Sequence, residues 1–60
     1  MLININFKNG VEFSFPRIKS YKEEKGYLKI VLSNGYKREW PLDNIESYEV
    51  KEYNNDKKES

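Results

Sequence analysis

Ile3-Asn4-Ile5-Asn6-Phe7-Lys8-Asn9-Gly10-Val11-Glu12-Phe13-Ser14-Phe15 decides the fold. Apolar and polar side chains alternate on both sides of Asn9-Gly10. Strict alternation is the mark of a half-buried β-strand, and Asn-Gly between two such strands is the strongest short-range hairpin signal. The loop length follows from which residues must share a face. A two-residue loop at Asn9-Gly10 would set Phe7 opposite Glu12 and Ile5 opposite Ser14. A three-residue loop, Lys8-Asn9-Gly10, instead sets Phe7 opposite Val11, Ile5 opposite Phe13 and Ile3 opposite Phe15. Directly opposed residues lie on one face, so only the longer loop gathers all six apolar side chains. Its last residue must enter the left-handed region, which Gly10 does without steric cost.

The same plan recurs 25 residues later. Leu28, Ile30 and Leu32 precede Ser33-Asn34-Gly35, and Tyr36 and Trp40 follow. A three-residue loop pairs Leu32 with Tyr36, Ile30 with Arg38 and Leu28 with Trp40, and on the other face Lys29 with Glu39. The match continues through Phe15-Pro16 and Trp40-Pro41. It then runs from Ile18-Lys19-Ser20-Tyr21 to Ile45-Glu46-Ser47-Tyr48, where the offset has grown to 27. Proline removes a ladder donor and ends a strand, so Pro16 and Pro41 mark equivalent corners. Each half therefore reads strand, turn, strand, aromatic-Pro corner, strand.

Lys22-Glu23-Glu24-Lys25-Gly26 reads as a charged turn. Pro41-Leu42-Asp43-Asn44-Ile45 reads as a short turn of 3₁₀ type that aims Leu42 and Ile45 inward. A closing strand follows from Glu46 to Tyr53, with Tyr48 and Val50 turned inward. Residues 1–53 form a single β domain on this reading, and the polar residues 54–60 a disordered tail. No stretch of ten residues has a helical period.

The expected fold is all-β with 5–6 strands: a small SH3-like barrel or a strongly bent antiparallel meander. Trp40-Pro41-Leu42-Asp43-Asn44-Ile45 and the strands around it resemble SH3-like barrels, in which a short 3₁₀ turn commonly precedes the last strand. The paired Trp and the acidic loop of peptide-binding SH3 domains are absent, so the resemblance does not carry polyproline recognition. The strand count also suits an Sm-like ring protein, but the RNA-binding motif of that family is missing.

Sixty residues bury only roughly 60% of the surface of the unfolded chain. With no Cys and no His, disulfides, thiolate metal sites and the commonest general base are excluded. Three Phe, five Tyr and one Trp supply the bulk of a core, and homodimerisation is a second route to stability. No apolar run is long enough to span a bilayer. Met1-Leu2-Ile3 enters the alternation without a basic start and apolar block, so the expectation is a soluble cytoplasmic protein with no membrane partner.

Enzyme chemistry is not expected. Ser14, Ser20, Ser33 and Ser47 have no His to activate them, and Glu12, Glu39, Glu46, Glu49 and Glu52 occupy alternating strand positions that read as a solvent face. Asp43-Asn44 is ordinary turn chemistry, and no cofactor is implied. Arg38 stands where the first repeat has Phe13, on the row of Leu28, Ile30 and Trp40. An Arg on a core-facing row needs a partner or an exit to water. Tyr27 and Val31 are apolar on the opposite row, interleaved with Lys29. Together, Tyr27, Lys29, Val31, Tyr36, Lys37, Arg38, Glu39 and Trp40 are the candidate partner-binding residues. Arg, Trp and Tyr are the types that concentrate at interface hot spots.

The net charge of +1 is uneven: residues 1–40 hold eight basic and four acidic side chains, and residues 41–60 three basic and six acidic. The expected function is a non-enzymatic protein-interaction module that captures another protein or a second copy of itself. Its size and its Lys-, Asn-, Ile- and Tyr-rich composition resemble the short accessory proteins of phages and mobile elements that bind or inhibit a host protein. The alternative is a small β protein that stacks nucleic-acid bases on Tyr21, Tyr27 and Tyr36 while Lys22, Lys29 and Lys37 meet phosphates. The near-balanced charge disfavours it.

Overall fold

A computed structural model describes residues 1–52. Six strands and one 3₁₀ turn follow one another: β1 (Leu2–Phe7), β2 (Glu12–Phe15), β3 (Ile18–Glu24), β4 (Tyr27–Leu32), β5 (Lys37–Pro41), the turn Leu42–Asn44 and β6 (Ile45–Lys51). They form two three-stranded antiparallel sheets, ordered β2-β1-β6 and β3-β4-β5. The expected tail and Tyr53 lie outside the described residues.

Within the first sheet Ile3 faces Phe15 and Ile5 faces Phe13. The Phe7 N–H donates to the Val11 carbonyl at 2.8 Å, and the Gly10 N–H donates to the Phe7 carbonyl at 3.0 Å. In the second sheet Leu28 faces Trp40, Lys29 faces Glu39 and Ile30 faces Arg38. There the Leu32 N–H donates to Tyr36 and the Gly35 N–H to Leu32. Gly10 and Gly35 sit at φ +92° and +95°, where a Cβ would be strained. Asn9 and Asn34 each accept the backbone N–H two residues on, at 2.9 and 3.0 Å. These side chains satisfy donors that the loop leaves open.

The third strand of each half crosses over. β3 pairs with β4, and β6 pairs with β1. The registers are equivalent: Ile5 faces Tyr48 as Ile30 faces Tyr21, and Phe7 faces Ile45 as Leu32 faces Ile18. Both ladders shift at the same place, between Asn6 and Phe7 in one and between Ile18 and Ser20 in the other. The Lys8 N–H donates to Asn44 as the Ser33 N–H donates to Arg17. The two halves are thus related by a pseudo-twofold, and the two extra residues of the second half fall within the 3₁₀ turn. Tyr21 and Tyr48, which are equivalent, meet edge-to-face with centroids 6.4 Å apart.

The core repeats the symmetry. Its buried members are Ile3, Ile5, Ile18, Leu28, Ile30 and Ile45, three pairs of equivalent positions. Met1, Leu42, Tyr48 and Val50 pack against them, half-buried.

Three expectations need correction. The sheets do not close into a barrel, because no ladder joins one to the other. Nor is the order a meander, since β6 returns to β1 rather than extending β5. Lys22, Glu23 and Glu24 are strand, not turn. They pair with Lys29, Leu28 and Tyr27, and the connection shrinks to Lys25-Gly26. What extends β3 is bonding outside the loop: Lys22 and Lys29 hold Glu24, and the Tyr48 hydroxyl holds Glu23.

Lys25 has φ +54° and Gly26 φ +82°, the signature of a type I′ turn, for which Asn is the better first residue. Lys25→Asn should raise stability by on the order of 0.5 kcal/mol, read as a higher melting temperature. Ile5→Ala and Ile30→Ala should each cost about 2–5 kcal/mol, and urea denaturation should show the two losses to be similar, because the positions are equivalent.

Candidate functional site

On the row that faces the core, β2 carries Phe13 and Phe15 and β5 carries Arg38 and Trp40. The two strands are equivalent edges, one in each sheet. They meet at the Pro corners, where the Phe15 and Trp40 rings lie 5.6 Å apart, and the space between them opens toward the loops. Phe7 fills the throat. It meets Phe13 at 5.5 Å and Trp40 at 5.8 Å, both edge-to-face, and Phe13 meets Phe15 at 6.2 Å. Such ring pairs are worth about 0.5–1.5 kcal/mol beyond their buried area.

The outcome is an open cleft of about 650 Å³ walled by Phe7, Val11, Phe13 and Trp40, with Lys8 and Asp43 on its rim. Val11 and Phe13 remain 42% and 44% exposed, and Tyr36 62%. The Arg38 guanidinium lies 5.8 Å from the Tyr36 ring centroid and donates to its neighbour's carbonyl, Lys37 O, at 3.1 Å. Among the described residues no carboxylate pairs with it.

The outer face of the β3-β4-β5 sheet is different in kind. Lys29 stands at its centre, 3.1 Å from Glu24 and 3.9 Å from Glu39, and Lys22 lies 3.3 Å from Glu24. Hydrogen bonds from Lys29, and then from Lys22, hold the Glu24 carboxyl below its ordinary range. Tyr27 and Val31 flank this ladder of alternating charge. Lys22 and Lys29 are therefore engaged by glutamates of the same sheet.

The eight candidate residues do not share one surface. Trp40 lines the cleft, whereas Tyr27, Lys29, Val31, Lys37 and Glu39 lie on the outer face; Arg38 lines a second hollow with Lys29, Val31, Lys37 and Glu39, and Tyr36 lies against Arg38 outside the cleft. Of the tyrosines considered for base stacking, Tyr27 shares the outer face with Lys22, Lys29 and Lys37, Tyr21 lines a hollow with the same three lysines, and Tyr36 lies outside it. Phe7, Val11 and Phe13 were assigned to the core by their alternation, yet they make the cleft. Alternation gives no signal that separates them from covered core residues.

Compared with known proteins, the chain matches no family model, no curated protein and no solved structure. Among the described residues no helix is long and apolar enough to cross a membrane, and no group of Asp and Glu side chains is gathered to hold a metal ion.

Away from the cleft, the Tyr48 hydroxyl donates to the Glu23 carboxylate at 2.5 Å. That bond and partial burial push the phenol up to about 12 from an ordinary 10.0. A raised folded-state pKa means that the bond's contribution is complete below pH about 10 and is lost as pH rises through about 12. Stability should fall across that interval, and Tyr48→Phe should flatten the fall. Urea midpoints measured at intervals from pH 9 to 12 read both.

Proposed function

We propose that this chain is a non-enzymatic protein-interaction module that grips an extended segment of a partner protein in the aromatic cleft between β2 and β5. The observation that carries the reading is the exposure of Phe13 and Val11 beside the half-buried Trp40. This chain buries only six aliphatic side chains among its described residues, and it leaves aromatic surface open beside them. Exposed aromatic patches with a polar rim are the usual form of a docking site.

The chemistry of the occupant follows from the rim. The rim itself carries Lys8 and Asp43, one charge of each sign, and beyond it Arg38 has its guanidinium fork free of any carboxylate among the described residues. An apolar side chain seated on Phe13 and Trp40, next to an Asp or Glu that reaches Arg38, would satisfy both. A carboxylate can take a guanidinium bidentately, which fixes geometry as well as adding energy. The wider reading is a small accessory protein that binds or inhibits one other protein. The fold is read as SH3-like, supported by the return of β6 to β1 after a 3₁₀ turn and by the two-sheet order. Nothing in the cleft favours a polyproline ligand.

The test is a random-peptide display selection against the immobilised chain. The expected winners combine an aromatic or Leu anchor with an adjacent acidic residue, and Lys8→Glu on the rim with Arg38→Glu beyond it should weaken them at least tenfold. A selection with no enrichment over the double variant would reject the cleft. Micromolar binding to oligonucleotides that falls steeply with salt would replace the reading with nucleic-acid recognition.

A further inference from the structure

The two sheets leave four edges, and they are not alike. β3 and β6 turn toward each other through the Tyr21–Tyr48 contact and the bond from Tyr48 to Glu23. β5 runs Lys37-Arg38-Glu39-Trp40-Pro41. Pairing it with a copy of itself about Arg38 would set that arginine against its own image, and Pro41 offers no N–H. Charge and proline on an edge strand are how natural sheets prevent edge-to-edge association.

β2 is less protected. It runs Glu12-Phe13-Ser14-Phe15, with one charged residue and no lysine. The Phe7–Val11 bond fixes the alternation of its ladder. The backbone groups of Phe13 and Phe15 therefore turn to β1, and those of Glu12 and Ser14 turn outward. Val11-Glu12-Phe13-Ser14-Phe15 also complements itself. Two antiparallel copies centred on Phe13 set Val11 against Phe15, Phe13 against Phe13 and Glu12 against Ser14. Every apolar residue meets an apolar one, the single carboxylate meets a hydroxyl, and each Glu12–Ser14 pair exchanges backbone bonds. Slipping the register by two residues in one direction opposes Glu12 to Glu12. In the other direction it spends a position on Pro16.

We infer that the chain forms a twofold dimer by antiparallel pairing of β2 with β2 of a second copy, which makes one continuous six-stranded sheet, β6-β1-β2-β2-β1-β6. The interface is isologous, so it closes at two copies and does not propagate. Phe13 and its image form a non-hydrogen-bonded pair, in which side chains lie closest. The pairing extends the aromatic wall of the cleft into the neighbouring copy. The inference holds whether or not the cleft takes a peptide, because its test does not touch Lys8 or Arg38.

A short strand makes a modest interface, so the readout is sedimentation equilibrium of the full chain up to about 1 mM, a range that covers weak association. Position 14 is the lever, because it faces Glu12 of the other copy. Ser14→Lys should tighten the dimer about threefold or more and Ser14→Glu should weaken it by a similar factor. Both lose the same bond to Asn4 (2.6 Å) within the chain. Ser14→Pro removes an outward N–H while sparing the ladder to β1, and it should leave only monomer. Far-UV spectra establish that each variant folds, and the Lys and Glu variants carry the test should the Pro variant not fold. A chain that is monomeric at 1 mM overturns the inference, as does a dimer that responds alike to Ser14→Lys and Ser14→Glu.

Discussion

The structure depends on an exchange of strands. Neither half of the chain completes its own sheet: the ribbon β1-β2 receives β6, and the ribbon β4-β5 receives β3. A two-stranded ribbon is marginal in water, and a third strand with a packed face is what gives a sheet independent stability. Each half supplies that third strand to the other. The six buried aliphatics follow from this arrangement. Ile3 and Ile5 lie in one ribbon and Leu28 and Ile30 in the other, while Ile18 and Ile45 arrive with the exchanged strands opposite Leu32 and Phe7. In a chain of 60 residues without cysteine, this reciprocity replaces the cross-links that small domains otherwise use.

The places where the halves differ are where the molecule acquires distinct surfaces. Glu23 stands where the other half has Val50, and it takes the Tyr48 hydroxyl instead of apolar contact. Arg38 stands where the other half has Phe13, so the β2 and β5 rows cannot close on each other as Phe15 and Trp40 do. The cleft opens beside Trp40, on the β2 side of that row. Its walls are Phe7, Val11, Phe13 and Trp40 and its rim carries Lys8 and Asp43, while the Arg38–Tyr36 stack lies outside that lining. Symmetry builds the core, and its local failure builds the candidate site.

The register of each ribbon was legible because period-2 patterning leaves one answer once the loop length is chosen to keep apolar residues together. The repeat was legible for the same reason, down to the offset change that falls within the 3₁₀ turn. The crossing of β3 and β6 was not, because local alternation says which face a strand presents and nothing about which neighbour it joins. The extent of β3 escaped too: Lys22-Glu23-Glu24 has turn composition, and only cross-strand ion pairs and the distant Tyr48 make it strand. At the candidate site, Tyr36, Arg38 and Trp40 could be picked by residue type. Their separation from Tyr27, Lys29, Val31, Lys37 and Glu39 also follows from alternation along one strand pair. Phe7, Val11 and Phe13 escaped because an apolar residue on a core row looks the same whether a sheet covers it or not.

The charge distribution then separates two kinds of surface that exposure alone would confuse. On the outer face of the second sheet, Lys22, Glu24, Lys29 and Glu39 neutralise one another within hydrogen-bonding or ion-pair reach. An incoming partner would have to displace those pairs, each of which is worth little at an exposed position but each of which also occupies the groups that would recognise it. By contrast Arg38 engages only the ring of Tyr36 and a neighbouring carbonyl, and in the cleft Phe13 and Val11 have no covering strand. Recognition requires groups whose bonding capacity is still open, and in this fold they collect along the β2 and β5 edges where the pseudo-twofold is broken.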